Sequence, residues 1–408
     1  MYRRTLLISL LALAVTQGAC QQTAATILKV LALKGSVPPQ LMAKFRQGLS
    51  ADVQLRVQAR KQLIELFTQL QQWSQGDAAA ASTSPWWWPW GRVSNQRPDW
   101  VSLGDYWLSA AIRQNLIQPL AVDSVPGWDE LSPQWRSLTT RNLQGLVDSE
   151  GQVWATPYRW GSLVMVYLPQ QFKRLGLAPP TRWQDLWEEP WRSQLEGRIA
   201  LPNHPRIVLG IVLKALNHSV NDADPKQYAE IPAIFDTLRS LVRVYAAEDY
   251  LQSLLQEDIW LAVGWSTDIR PILKQNQQLS ALVPDPGTLL SADLWVRPSG
   301  QSQSQETGPY RPTEYDKAWL SFFWQEDNIT LQNQLSEGLS PLVTDPMLGV
   351  EMPESGTNLL IPSSEQLQNS EFLYPLFSGA EDDPALMQTK EDYLELWQSL
   401  RSESKTIH

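Results

Sequence analysis

The chain has 408 residues, 43% of them apolar, which allows two or more domains with real cores. Acidic residues outnumber basic ones 43 to 33, and the net charge of −10 argues against nucleic acid as a partner. A single cysteine excludes any disulfide within the chain, so burial alone must hold the fold.

In chain order, the first feature is a leader. Met1–Tyr2–Arg3–Arg4 is a positive start, Leu6 to Val15 is a short apolar run, and Gly18–Ala19 are small residues ahead of Cys20. That order is an export signal covering residues 1–19. The apolar run is too short to span a bilayer, which takes about 20 residues, and no later run reaches that length. The placement of Cys20 resembles bacterial lipoprotein signals, in which the thiol carries a diacylglycerol. Gln17 departs from that pattern, where leucine is usual. A plain secretory cut after Ala19 is the other reading. The expectation is an exported, periplasmic protein anchored to the membrane at Cys20 through a short linker, 20–25.

Thr26–Lys34 reads as a buried strand, followed by a turn at Gly35–Ser36. Val37–Pro38–Pro39 then starts a helix with Leu41, Met42 and Phe45 at helical spacing. Val53–Val57 reads as a second strand and 58–73 as a helix with Leu63, Leu66, Phe67 and Leu70 on one face. A β-α-β-α opening points to a parallel sheet with covering helices. Pro85–Trp86–Trp87–Trp88–Pro89–Trp90–Gly91 cannot form a regular helix or a central strand. It reads as an inserted loop that packs on its own domain, lines a cleft or docks on a membrane. Further strands are expected at Asp99–Leu103, Ser162–Tyr167, Gly197–Leu201, Trp260–Trp265, Ala281–Pro284 and Asp293–Arg297. Helices are expected at 107–114, 183–187, 207–216, 228–245, 314–325, 328–336 and 390–402, with a polar loop at Ser299–Arg311.

Reaction chemistry is hard to place on this chain. His204, His218 and His408 are the three histidines, and with one cysteine no zinc site can be built from them. Nucleotide fingerprints and serine-nucleophile motifs are missing, and the pairs Glu188–Glu189 and Glu257–Asp258 read as solvated faces. A binder without cofactors fits better than an enzyme.

From Gly151 onward the residues resemble a known family. Ala155-Thr-Pro157-Tyr-Arg-Trp160-Gly161, Thr181-Arg-Trp183-Gln-Asp185-Leu-Trp187, Gly197–Pro202 and Gly287–Pro298 are similar to the periplasmic spermidine/putrescine-binding proteins. These are the solute-capturing subunits of ABC importers. The resemblance spans most of 26–345. It implies an α/β fold of two lobes, each a mixed sheet flanked by helices, joined by two crossing strands. Lobe one would take 26–160 plus 295–345, and lobe two 161–294 plus 346–402. The ligand would sit between the lobes at the carboxyl ends of strands. Family members box a polyamine between rings and pair its amines with carboxylates. Residue by residue, this implies Trp265 as a stacking ring, Asp293 as the amine-binding acid, and Tyr106, Trp107 and Trp160 around the pocket. For Asp293 the alternative is a simple turn or cap residue, and for Trp265 a core residue.

Departures narrow the ligand. The family's acids on either side of an arginine are His204 and Ile207 here, flanking Arg206. Aromatic positions are Leu33, Ser36 and Leu339. A triamine loses its far partner, so a diamine, an amino acid or another ligand with one cation and an apolar body fits better, and Arg206 can accept a carboxylate if His204 and Ile207 line the pocket. The expected function is a receptor that hands an amine-bearing solute to an ABC permease and its ATPase by lobe closure. The alternative is an envelope lipoprotein of structural or regulatory role that kept the fold and lost the ligand. Asp293→Asn is expected to weaken amine binding about tenfold, with the melting temperature nearly unchanged.

Overall fold

The structure is a computed structural model that describes residues 26–74, 97–246, 250–300, 308–342, 360–375 and 384–401. The leader, Cys20 and the Trp86–Trp90 stretch lie outside the described residues. β1 (Thr26–Leu33) is apolar along most of its length and lies parallel to β2 (Val53–Arg60), with Thr26 opposite Val53 and Leu33 opposite Arg60. α1 (Pro39–Gln47) starts on a proline that needs no backbone donor, and it buries Leu41 and Phe45. α2 (Leu63–Ser74) buries Leu66, Phe67 and Leu70. β3 (Trp100–Gly104) adds a third parallel strand and runs straight into α3 (Asp105–Arg113). Short elements follow: β4 (Ile117–Gln118), α4 (Pro133–Thr139), and the hairpin of β5 (Thr140–Arg141) and β6 (Gln152–Val153).

β7 (Thr156–Tyr167) is buried at every position, and it decides the architecture. After it come α5 (Pro169–Leu175), β8 (Ile199–Pro202), α6 (Pro205–Ala215), α7 (Glu230–Leu241) and β9 (Val242–Ala246). α8 (Tyr250–Leu255), β10 (Leu261–Trp265), α9 (Ser266–Gln275), β11 (Ser280–Leu282) and β12 (Leu289–Pro298) complete that stretch. The chain ends with α10 (Glu314–Phe322), α11 (Glu326–Leu335), α12 (Ser364–Gln368), β13 (Glu371–Phe372) and α13 (Pro384–Arg401). No helix among the described residues is long and apolar enough to cross a membrane.

The strands run in the order β2-β1-β3-β12-β7-β10-β8-β9. β12 is antiparallel to both β3 and β7. Up to Ser162, β7 pairs with β12; from Leu163 onward it pairs with β10 and β11 instead. This hand-over splits the core. Trp160 and Leu290 pack with the β1–β3 side, around Trp100, Tyr158, Trp295 and Phe323. Leu163 and Leu289 pack with the β8–β10 side, around Trp183, Val212 and Phe235. Two lobes therefore share two strands, as the fold expectation had it.

Local readings fail where tertiary pairing overrides them. The helix expected over 228–245 stops at Leu241, because Val242-Arg-Val-Tyr continues as β9 and pairs parallel with β8. The strand expected at Ser162 begins at Thr156. The helix expected from 58 begins at Leu63, since β2 runs on to Arg60 beside β1. α9 has no clear helix signal in the sequence because Pro271 interrupts its pattern.

Candidate ligand-binding site

β1 ends at Leu33 and β10 ends at Trp265, on the same face where β7 and β12 cross between the lobes. A cleft of about 280 Å³ opens there. Leu33, Lys34, Lys61 and Leu63 line it from the first lobe, and Trp265, Thr267 and Asp268 from the start of α9. The shared strands give Arg159, Trp160, Gly161, Ser291 and Asp293, and the turn after α11 gives Glu337. Strand ends that converge between lobes are the usual place for a ligand in open α/β sheets.

Gly161 sets how closely the walls approach. A Cβ there would sit 2.8 Å from Thr267 Cγ2 and 3.0 Å from Ser266 Oγ, so only glycine lets β7 pass the first turn of α9. The next backbone N–H, of Ser162, donates to Ser266 Oγ at 3.0 Å and fixes that turn. Trp265 is half-buried at the N-cap of α9, with its strand held against Leu163.

The electrostatic centre is an ion pair. Arg159 and Asp293 face each other across β7 and β12. Both Arg159 Nε and Nη2 donate to Asp293 Oδ2, each at 2.6 Å. Arg159 is 4% exposed and Asp293 7%, so the pair is desolvated. Burial works against the Arg159 charge, but Asp293, then Tyr158 and Glu337, more than reverse it and hold the guanidinium above its usual range. The third nitrogen, Nη1, is buried and has no hydrogen-bond partner. Its nearest acid is Glu337, whose Oε2 is 3.9 Å away on a half-exposed side chain. Burial raises the Glu337 carboxyl, with Arg159 opposing the shift. Behind Glu337, Arg270 donates from Nη2 to Asn333 O at 2.5 Å; burial, then the nearby Arg159, pushes it down to about 10.

Next to Asp293 sits Asp105, the first residue of α3. Its Oδ1 accepts from the Ala292 N–H at 3.1 Å and the Ser291 hydroxyl at 3.0 Å. Complete burial pushes its carboxyl up to about 7 despite those bonds. It ties α3 to the strand that carries Asp293.

Of the residues expected at the site, Asp293, Trp265 and Trp160 line the cleft. Trp160 does so at the edge of its ring's own packing. It is 1% exposed, its Nε1 donates to Ser340 O at 2.9 Å, and its ring lies 5.6 Å from Trp135. Trp107 stacks on Phe67 at 4.7 Å, away from the cleft lining. Tyr106 meets Trp107 and His204 edge-on, at 5.9 and 5.8 Å, and so bridges the two lobes beside the cleft.

Arg206 corrects an expectation. Its guanidinium donates to Val220 O, Asn221 Oδ1 and Tyr374 O at 3.0–3.1 Å and lies 4.7 Å from the centre of the Tyr393 ring. Those carbonyls come from segments that fold over α6, so Arg206 ties the C-terminal segment to the second lobe and does not line the cleft. The residues missed from sequence are Arg159 and Glu337. Arg159 stood in plain view inside the Pro-Tyr-Arg-Trp-Gly stretch. The signal was a lone charge in an otherwise uncharged, fully buried strand, which demands a partner across the sheet.

Among the described residues, no group of three or more acidic, histidine or cysteine side chains is placed to hold a metal ion. A profile of the family described as bacterial extracellular solute-binding protein matches residues 92–308. Curated relatives include a putrescine/cadaverine-binding protein of Pseudomonas aeruginosa, 26% identical over 120 residues, which are 29% of this chain and 34% of that protein. The putrescine-binding periplasmic protein PotF of Escherichia coli is 23% identical over 210 residues, 49% of this chain and 55% of PotF. The chain thus spans between about a third and just over half of the length of these relatives. Among solved structures, the spermidine/putrescine ABC transporter substrate-binding protein PotD of Streptococcus pneumoniae superposes with a TM-score of 0.66 at 19% identity, covering 92% of this chain and all of that one. The Tp0655 (TpPotD) lipoprotein of Treponema pallidum gives 0.59 at 14% identity, covering 92% and 99%. At these identities the structural likeness speaks for the fold.

Proposed function

This chain belongs to the bacterial extracellular solute-binding protein family, and we propose that it is the solute receptor of an ABC importer, closing its two lobes on a small amine-bearing solute. The relatives named for putrescine and cadaverine support that class. The observation that carries it is the cleft itself, where the half-buried Trp265 ring stands with the carboxylates of Asp268 and Glu337. A ring face attracts an ammonium by roughly 0.5–2 kcal/mol, and a nearby carboxylate offsets the loss of water around it. At about 280 Å³ the space is of the size that holds a small solute.

Binding should be read first by thermal unfolding of the full chain in detergent, followed by tryptophan emission. The trial compounds are putrescine, cadaverine, spermidine, amino acids and short sugars. A ligand that binds only the folded state at a hundred times its Kd adds about 2.7 kcal/mol. A rise in Tm with short amine-bearing compounds and none with sugars is expected. A rise with sugars alone would reject the reading. No rise with any of them would favour an envelope protein that lost its ligand.

Tethering to the membrane belongs to the same proposal and rests on the leader order ending at Cys20. Cys20→Ser should move the protein from the membrane to the soluble fraction of fractionated cells. A variant that stays with the membrane would reject Cys20 as the tether.

A further inference from the structure

We infer that the cleft is built for a zwitterion, a short solute with a carboxylate that bonds Arg159 Nη1 and an ammonium set against the Trp265, Glu337 and Asp268 side. This rests on the receptor reading above and narrows its ligand. Asp293 is the carboxylate on which an amine-only ligand would depend, and Arg159 has taken the cation's place there with two nitrogens at 2.6 Å. A second cation brought to Asp293 would meet a buried guanidinium of like sign with little water to screen it.

The same guanidinium belongs to a residue that lines the cleft, and it has one more nitrogen. Nη1 is buried and without a hydrogen-bond partner, and Glu337 at 3.9 Å is too far to supply one. A buried donor of this kind wants an acceptor, and a carboxylate is the acceptor a guanidinium binds best. Lys34 and Lys61 at the rim draw an anion towards the same mouth. Charge balance points the same way. The lining holds the cations Lys34, Lys61 and Arg159 against the acids Asp268, Glu337 and Asp293. A zwitterion leaves that balance untouched, whereas a diamine adds two positive charges to it.

Calorimetric titration of the full chain in detergent tests this with sets of equal chain length, from four to six carbons. Each set holds a diamine, an ω-amino acid and a dicarboxylate, beginning with putrescine, 4-aminobutyrate and succinate. In at least one set the amino acid should bind ten times more tightly or better than both companions, about 1.4 kcal/mol. Arg159→Gln should then erase that preference by weakening the amino acid and not the diamine. A diamine that binds as tightly as the amino acid overturns the inference and leaves the receptor for amines standing. A dicarboxylate that binds best, or no binding in any set, overturns both. The wild-type titration decides the matter by itself if the variant fails to fold.

Discussion

Asp293→Asn should lower the stability of the protein by about 3–5 kcal/mol, the usual cost of removing one partner from a buried ion pair. The substitution leaves the Arg159 guanidinium 4% exposed, with Nη1 already lacking a partner and the acceptor of Nε and Nη2 made neutral. This replaces the sequence-based expectation of an unchanged melting temperature. That expectation left Arg159 out, and the carboxylate that lines the cleft is also half of a strand-to-strand link between β7 and β12. Urea unfolding followed by tryptophan emission gives the number. Combining Arg159→Met with Asp293→Leu should recover much of the loss, because a well-packed apolar pair often does as well as a buried ionic one. A single Asp293→Asn variant within about 0.5 kcal/mol of wild type would mean that the pair contributes nothing to the fold.

How far the fold could be read from the chain follows from where its contacts lie. β1, α1 and β3 were legible because their apolar spacing and their proline or glycine boundaries are local facts. β9 was misread as helix because its pairing with β8 is what makes it a strand. The site behaved likewise. Trp265 and Asp293 were reached through the family resemblance, and both line the cleft. What Asp293 does there depended on Arg159, which lies 134 positions away in sequence and opposite it in the sheet. Arg206 was misplaced for the mirror-image reason. Its partners Tyr374 and Tyr393 come from the C-terminal segment, and nothing around residue 206 in sequence announces them.

The two tryptophans of the cleft should separate cleanly under substitution. Trp160→Ala is expected to cost about 3–5 kcal/mol of stability, in the range for removing a buried aromatic side chain. Its ring fills space against Trp135, and its loss leaves the Ser340 carbonyl without its donor. Trp160 also pairs its backbone N–H and C=O with Leu339, at 2.9 and 2.8 Å. Those backbone bonds survive the change, so the loss measures the side chain. Trp265→Ala removes a half-buried ring from the end of β10 and should cost far less stability. It should weaken ligand binding by roughly ten- to thirtyfold, the scale of one ring–ammonium contact of about 1.5–2 kcal/mol. Trp160→Phe, which keeps most of the volume and loses the indole N–H, should fall between wild type and alanine in stability and leave ligand preference unaltered. Urea unfolding and calorimetric titration of the same preparations give both readouts. A Trp160→Phe variant of wild-type stability with altered ligand preference would return Trp160 to the binding surface. The pattern expected here makes it a buried strut that holds the turn carrying Glu337 against β7.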